Sequence, residues 1–356
     1  MKIKPVFFIS LLLSLVSCAK KPEVSIPTEE DMQAYLFTFY TDATHSIHMA
    51  ISHDGYTFTA LNDGYPVIAG DTIADQKGVR DPHLYRGPDG SFYMVMTDLH
   101  IFAKEKGYRE TEWERPDELY GWGNNRGFVF MKSTDLINWT RHNVFIEDLF
   151  PQLENIGCAW APQTIYDTDE DKLMVYFSMR FEKEKTKLYY AYADDEFTKL
   201  STMPKLMFGH PNPEIQVLDG DITQMPDGNY CLMYVAQEHP GGIKMAISNK
   251  LNSGYVYQPD WIDFEPGASE APSVWKRINE DKWVLMYDIH NIAPNNYGFC
   301  ETTDFLNFNN IGHLNEGDMK ISGITLPKQG AVIHITAKEA ERLEKYWKKN
   351  KKKYVY

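Results

Sequence analysis

One phrase occurs four times along this chain: a polar opening, an alternating strand, a turn rich in Gly, Asp and Asn, and an aromatic return strand. The copies open at Arg80-Asp81-Pro82 before LYRGPDGSFYMVMT and at Trp160-Ala161-Pro162-Gln163 before TIYDTDEDKLMVYFS. They recur at Gly220-Asp221 before ITQMPDGNYCLMYV and at Glu270-Ala271-Pro272 before SVWKRINEDKWVLMYD. Period-two alternation broken by turn residues reads as a hairpin of half-buried strands. No hairpin of this kind buries its apolar face alone, so a repeated one demands a repeated architecture. The reading is an all-β fold, a β-propeller, in which equivalent positions of successive blades converge on one axial funnel.

The number of blades comes from a second phrase, Ser/Thr-x-Asp followed by an aromatic. It appears as SHDGYTF (52–58), STDLINW (133–139) and TTDFLNF (302–308), with weaker versions in YADDEFTKL and ISNKLNSGY. Five outer phrases against four inner hairpins predict five blades, four of them near 78–145, 157–205, 215–265 and 267–312. The fifth takes GITLPKQGAVIHIT (323–336) as its inner hairpin and strands near 34–40 and 46–52 from the other end of the chain. Termini closing one blade leave the ring without free sheet edges. The final TAKEAERLEKYWKKNKKK alternates charge at helical spacing and predicts a short C-terminal helix. The domain reading is therefore residues 1–18 as a signal, 19–32 as a linker, 33–336 as the propeller and 337–356 as a charged helix and tail.

The head of the chain reads as an export signal. A basic Met1-Lys2-Ile3-Lys4 precedes an apolar run too short for a comfortable bilayer span, which ends in Leu15-Val16-Ser17-Cys18. The small residue before a cysteine resembles a bacterial lipobox. That resemblance implies a lipidated Cys18 and a soluble domain tethered to a membrane, in the periplasm or at the cell surface. The rival is an ordinary signal peptide that happens to contain Cys18. A formal net charge of −14 argues against nucleic acid or anionic lipid as partner. Cys158, Cys231 and Cys300 are an odd number in an exported chain, which forbids a complete disulfide framework. No CxxC or HExxH spacing occurs, so neither a metal nor a cofactor is expected.

Each inner strand begins at the rim to which its partner strand returns, so residues at both places line the funnel. The starts supply Asp81, Trp160, Gln163, Asp221 and Glu270; the returns supply Asp98, His100, Arg180, Gln237 to His239 and His290. Like charges gathered in one cavity cost stability, which points to function. Two carboxylates on opposite sides of a sugar are what glycoside hydrolysis needs, one as base and one as acid. Taken singly, each residue has a plainer reading: Asp81 and Asp221 as turn formers, Glu270 as a solvated loop acid, Trp160 as a packing indole. Arg180 and His290 could simply neutralise buried acids. The stretch 100–127, rich in Trp and Tyr, is too long for a hairpin connection and is expected to wall one side of the pocket.

At these residues the chain resembles the family-43 glycoside hydrolases, over roughly residues 33–336. The resemblance implies a five-bladed propeller that removes arabinose- or xylose-type sugars with inversion. It implies Asp81 as general base, Asp221 as the residue that orients the acid and adjusts its pKa, and Glu270 as general acid. It further implies a substrate contact from position 163, here Gln163, while Trp160, Arg180, His290 and Asp98 are candidate substrate contacts from their own place at the funnel. Two positions depart from the family pattern: Gln163 stands where an Asp is usual, and Gln329-Gly330 where a His-Gly is frequent. The expectation is an exported exo-glycosidase acting on oligosaccharides or polysaccharide side chains. An α-L-arabinofuranosidase activity comes first, β-xylosidase or β-D-galactofuranosidase next. Rival readings are a retaining fructosidase-like propeller, which lacks its upstream Asp-Pro here, and a non-catalytic surface glycan-binding lipoprotein.

Overall fold

The computed structural model describes residues 26–238, 241–290 and 296–351. Cys18 and His239 lie outside them. Five sheets, antiparallel except for one outer edge, stand around a central axis. Blade 1 comprises Val79–Arg86, Phe92–Asp98, Gly127–Ser133 and Thr140–Phe145, from the axis outward. Blade 2 comprises Ile156–Asp167, Lys172–Phe181, Lys187–Tyr192 and Lys205–Phe208. Blade 3 uses Val217–Gln224, Tyr230–Ala236, Gly242–Ser248 and Val256–Tyr257, and blade 4 uses Ser269–Lys276, Trp283–Ile289, Asn296–Thr302 and Asn309–His313.

Blade 5 joins the two ends of the described chain, with one correction to the sequence reading. Residues 323–336 are not a hairpin. The strand Lys328–Thr336 is innermost by itself and pairs with Met32–Tyr40, followed outward by His48–Ser52 and Thr57–Ala60. Lys320–Ser322 adds a parallel outer edge beside Thr57–Ala60, and 323–327 crosses the face of the blade to reach the axis. Pro327 and the positive φ of Gly323 and Leu326 suit a crossing rather than a tight turn.

Separate apolar cores fill the gaps between blades rather than one central core. Phe128, Phe130, Phe177 and Phe197 pack between blades 1 and 2; Phe37, Trp275, Tyr297 and Phe299 pack between blades 4 and 5. The helix Ala337–Lys349 starts from a capping box in which Thr336 and Glu339 satisfy one another's backbone N–H. Its Leu343 and Trp347 join the core shared by blades 5 and 1. Glu339 also forms a salt bridge of 2.6 Å to Arg86.

The outer phrases are turn devices. In Ser133-Thr134-Asp135-Leu136 the Asp135 carboxylate accepts the N–H groups of Ile137 and Asn138, and Asp304 does the same for Leu306 and Asn307. The next residue adopts positive φ: Gly55, Leu136 and Phe305 at 75°, 62° and 56°. Leu136 and Phe305 bear that strain because their side chains are buried in the gaps between blades.

Candidate active site

The inner strands of blades 1 to 4 each carry a β-bulge two residues long at the axial mouth. It falls between Arg80 and His83, Trp160 and Gln163, Leu218 and Asp221, and Glu270 and Ser273. The first bulge residue takes positive φ in every blade: Asp81 at 54°, Ala161 at 44°, Asp219 at 50° and Ala271 at 55°. The second is Pro82, Pro162, Gly220 or Pro272, residues that need no ladder N–H or have no side chain to place. At Gly220 a Cβ would meet the Leu188 side chain at 2.7 Å, so a larger residue there would have to push that leucine aside. A bulge re-aims side chains, and these turn toward the axis.

This geometry resets the register inferred from sequence. Asp81 shares its position with Asp219, not with Asp221 or Glu270. Glu270 stands with Arg80, Trp160, Leu218 and, in blade 5, Lys328, all immediately before the bulge. Asp221 stands with His83, Gln163 and Ser273, immediately after it. The Gln163 side chain and the Val274 N–H bond Asp221, and Gln163 Oε1 accepts the Tyr176 hydroxyl at 2.7 Å. Tyr176 in turn accepts the Ile222 N–H at 2.9 Å. Asp221 and Gln163 thus belong to a buried seam between blades 2, 3 and 4. Burial pushes the Asp221 carboxyl up to about 7.

A relay of hydrogen bonds ties each bulge to its neighbour. Thr97 Oγ1 accepts the Ala161 N–H at 2.8 Å while donating to Asp81 Oδ2 at 2.7 Å. Ser178 Oγ accepts the Asp219 N–H at 2.9 Å, and Asp288 Oδ1 accepts the Gln329 N–H at 3.2 Å. The acceptor in these three cases comes from the second strand. In blade 3 that residue is Val235, which has no acceptor. There the Asp219 carboxylate itself takes the Ala271 N–H, at 3.3 Å. Asp219 is therefore anchored to the residue next to Glu270.

The mouth gathers Asp81, Asp219, Asp288 and Glu270 with Arg80 and Lys328. Burial pushes the Asp219 carboxyl well up, and the like charges of Glu270 and Asp81 add to it. Burial likewise raises Asp288, with the Lys328 ammonium opposing. Asp81 is raised by burial too, opposed by Arg80 and the Thr97 hydroxyl. Lys328 Nζ lies 3.4 Å from Glu270 Oε1, 3.9 Å from Asp288 Oδ2 and 4.0 Å from Asp42 Oδ2. Burial alone would lower the Lys328 ammonium, but these carboxylates turn the shift upward. Glu270 is the more exposed acid, and its Oε2 is 3.7 Å from His290 Nε2. A cavity of about 270 Å³ opens beside this pair, lined by Gln216, Gln237, Ser269 and Lys185 among others.

Trp160 donates its indole N–H to the Gly123 carbonyl at 2.9 Å and packs edge-on to Trp122. The excursion 100–127 thus leans on the funnel mouth. Arg180 lies over the Trp160 ring at 4.6 Å and donates to the carbonyls of Tyr120, Trp122 and Glu182. These bonds make it the clamp of that wall. Asp98 accepts the N–H groups of Asp75 and Gln76, both at 2.9 Å, and so holds the segment entering blade 1. His100 is stacked on His45 at 4.0 Å. Sequence reasoning missed Asp219, Asp288 and Lys328. Asp219 was visible in Asp219-Gly220-Asp221; alignment with Leu218 against the bulge would have selected it. Cys158, Cys231 and Cys300 are buried free thiols. Among the described residues no group of three or more His, Cys, Asp or Glu side chains is placed to hold a metal ion.

Four four-stranded blades and a five-stranded fifth, set around an acid-lined mouth, make the fold a five-bladed β-propeller. Residues 30–341 match the family model described as a probable glycosyl hydrolase domain, a relative of glycoside hydrolase family 43, and the chain belongs to that family. A crystal structure of a variant of the GH43 protein BlXynB from Bacillus licheniformis shares the fold, with a TM-score of 0.53 and 17% identity over 84% of this chain and 55% of that one. An alpha-L-arabinofuranosidase of Bifidobacterium longum subsp. longum is 30% identical over 137 residues, 38% of this chain and 12% of that protein. The chain thus spans a small part of that relative's length.

Proposed function

We propose that the protein is an inverting exo-glycoside hydrolase that releases terminal sugars, with α-L-arabinofuranosides first among its substrates and β-xylosides or β-D-galactofuranosides next. The observation that carries this is the strained bulge that presents Asp81 at the mouth, with Glu270 in the facing arc and Asp219 braced against the backbone beside it. The first bulge residue takes positive φ in blades 1 to 4, and at Asp81 and Asp219 that residue carries a carboxyl. Asp81 acts as general base. Thr97 fixes one carboxylate oxygen and leaves the other to take a proton from the attacking water. Glu270, reached from the solvent side, donates its proton to the departing glycosidic oxygen. Asp219, rather than Asp221, orients Glu270 through the Ala271 N–H and through its own like charge. Trp160 offers an indole face to the sugar, held by Gly123 and Arg180, and His290 contacts the substrate beside Glu270.

The deciding experiment compares Glu270→Ala with the unaltered protein on natural oligosaccharides and on nitrophenyl glycosides. Loss of the acid is expected to slow the natural substrates by on the order of 10²–10⁴-fold, while nitrophenolate, a good leaving group, suffers less. Equal rates for variant and parent on both would remove Glu270 from the mechanism. Proton NMR of freshly released sugar reads the anomer, and a retained anomer overturns the water-attack scheme. We further propose that the chain is exported and lipidated at Cys18. Metabolic labelling with a palmitate analogue should mark the parent but not Cys18→Ala.

A further inference from the structure

On the same face as the funnel, blade 5 carries an open groove of about 750 Å³. Its walls are three loops: Thr41–Thr44 after the second strand, 63–66 leaving the outer strand, and 323–328 crossing inward to the axis. The groove is built, not incidental. Gly64 and Gly323 touch at its base; a Cβ on Gly64 would stand 1.9 Å from the Gly323 carbonyl oxygen, and its φ of +81° also favours glycine. His48 braces the floor with both ring nitrogens, one 3.0 Å from the Gly64 carbonyl oxygen and one 2.9 Å from Thr44 Oγ1.

The lining suits a carbohydrate. Tyr65 is 39% exposed and presents a ring to the groove, and Leu326 is 58% exposed although its backbone has a φ of 50°. An apolar residue held out to solvent in a strained conformation is costly unless something covers it. Thr41, Asp42 and Asp63 also line the groove, paired with Thr44, Arg80 and Lys351 respectively, so that a polar rim is held in place around it. Sugars ask for that combination, flat C–H faces against an aromatic and hydroxyls against polar rims.

The groove also leads to the chemistry. Lys328 and Asp42 line it, and Lys328 Nζ is 3.4 Å from the carboxyl of Glu270. Whatever is attached to the oxygen that Glu270 protonates has this trough beside it. We infer that the blade-5 groove is a second saccharide-binding site that holds the remainder of an oligosaccharide while its terminal residue occupies the funnel. The inference rests on the hydrolase reading above, and it makes the preferred substrate an oligosaccharide rather than a small glycoside.

The test titrates the whole chain carrying Glu270→Gln, which stops turnover, with arabinose, xylose, galactose and the matching trioses by calorimetry. At least one triose is expected to bind about tenfold more tightly than its monosaccharide, a difference of about 1.4 kcal/mol. Adding Tyr65→Ala or, separately, Leu326→Ala should shrink that advantage to about twofold or less while leaving monosaccharide affinity in place. The proposal is overturned if no triose outbinds its monosaccharide, or if the advantage survives both substitutions in folded protein. Sugar release by the parent is scored separately. A parent that releases nothing while retaining the Tyr65-dependent triose preference sinks the hydrolase reading and keeps the groove.

Discussion

Asp219 and Asp221 are two residues apart and have different surroundings, so their amide variants should separate cleanly. Asp219→Asn leaves the bond to the Ala271 N–H possible but removes the charge facing Glu270. Sugar release should fall by on the order of a hundredfold or more, mainly in kcat, with little change in melting temperature. Asp221→Asn should spare activity and alter the pH dependence of stability instead. Its carboxyl is raised to about 7 in the folded state, against about 3.9 unfolded. The folded chain therefore holds an extra proton between those values. The associated stability is complete at low pH and is lost as pH rises through about 7. Thermal melts from about pH 4 to about pH 8 should show the Asn variant gaining on the parent as pH increases, by up to a few kcal/mol. A flat difference would mean that Asp221 is not the titrating group. At this scale the residue types of the site were legible in the sequence, but their register was not. Glu270 and Asp81 stand in phrases that resemble one another, yet the bulge places them one position apart.

The elements that decide the site are bulges and turns rather than whole strands. Thr97 serves both the Asp81 carboxylate and the Ala161 N–H. Thr97→Val keeps the shape and loses both bonds, leaving a buried N–H without an acceptor. Denaturant unfolding should register a loss of about 1–3 kcal/mol, accompanied by slower sugar release, whereas Thr97→Ser should restore most of both. The outer phrases make a purely structural contrast. Asp304 bonds two consecutive N–H groups at the turn leading to Phe305. Asp304→Ala is expected to cost about 1 kcal/mol with kcat unchanged. The strands were readable because period-two alternation with aromatic returns is a local signal. The crossing 323–327 was not, because the same alternation is consistent with a hairpin. The parallel partner that pulls Lys320–Ser322 to the outer edge is distant in sequence.

For the molecule as a whole, stability is shared among five inter-blade cores, and the ring is complete only when Lys328–Thr336 docks beside Met32–Tyr40. Removing residues 328–356 leaves Leu36, Phe37 and Phe39 without their innermost neighbours and uncovers the edge of blade 5. Such a truncation should fail to give a cooperative thermal transition and should aggregate; a sharp melt near the parent's would show that closure is dispensable. A milder probe is Trp347→Ala, which empties a site in the core shared by blades 5 and 1 and is expected to cost about 3 kcal/mol or more without touching the funnel.

The repeated phrases determined by themselves that this chain forms blades, that there are five, and that acids stand at the blade openings. Each of those follows from local alternation, turn chemistry and counting. Which acids meet was decided only in three dimensions. A two-residue bulge at the same place in blades 1 to 4 holds Asp81 and Asp219 within it and Glu270 just before it. An apolar Val235 leaves Asp219 to supply a missing acceptor, and Lys328 arrives at the axis by a crossing that no local pattern announces. Such placements depend on partners far apart along the chain, so they emerge only once the ring is closed.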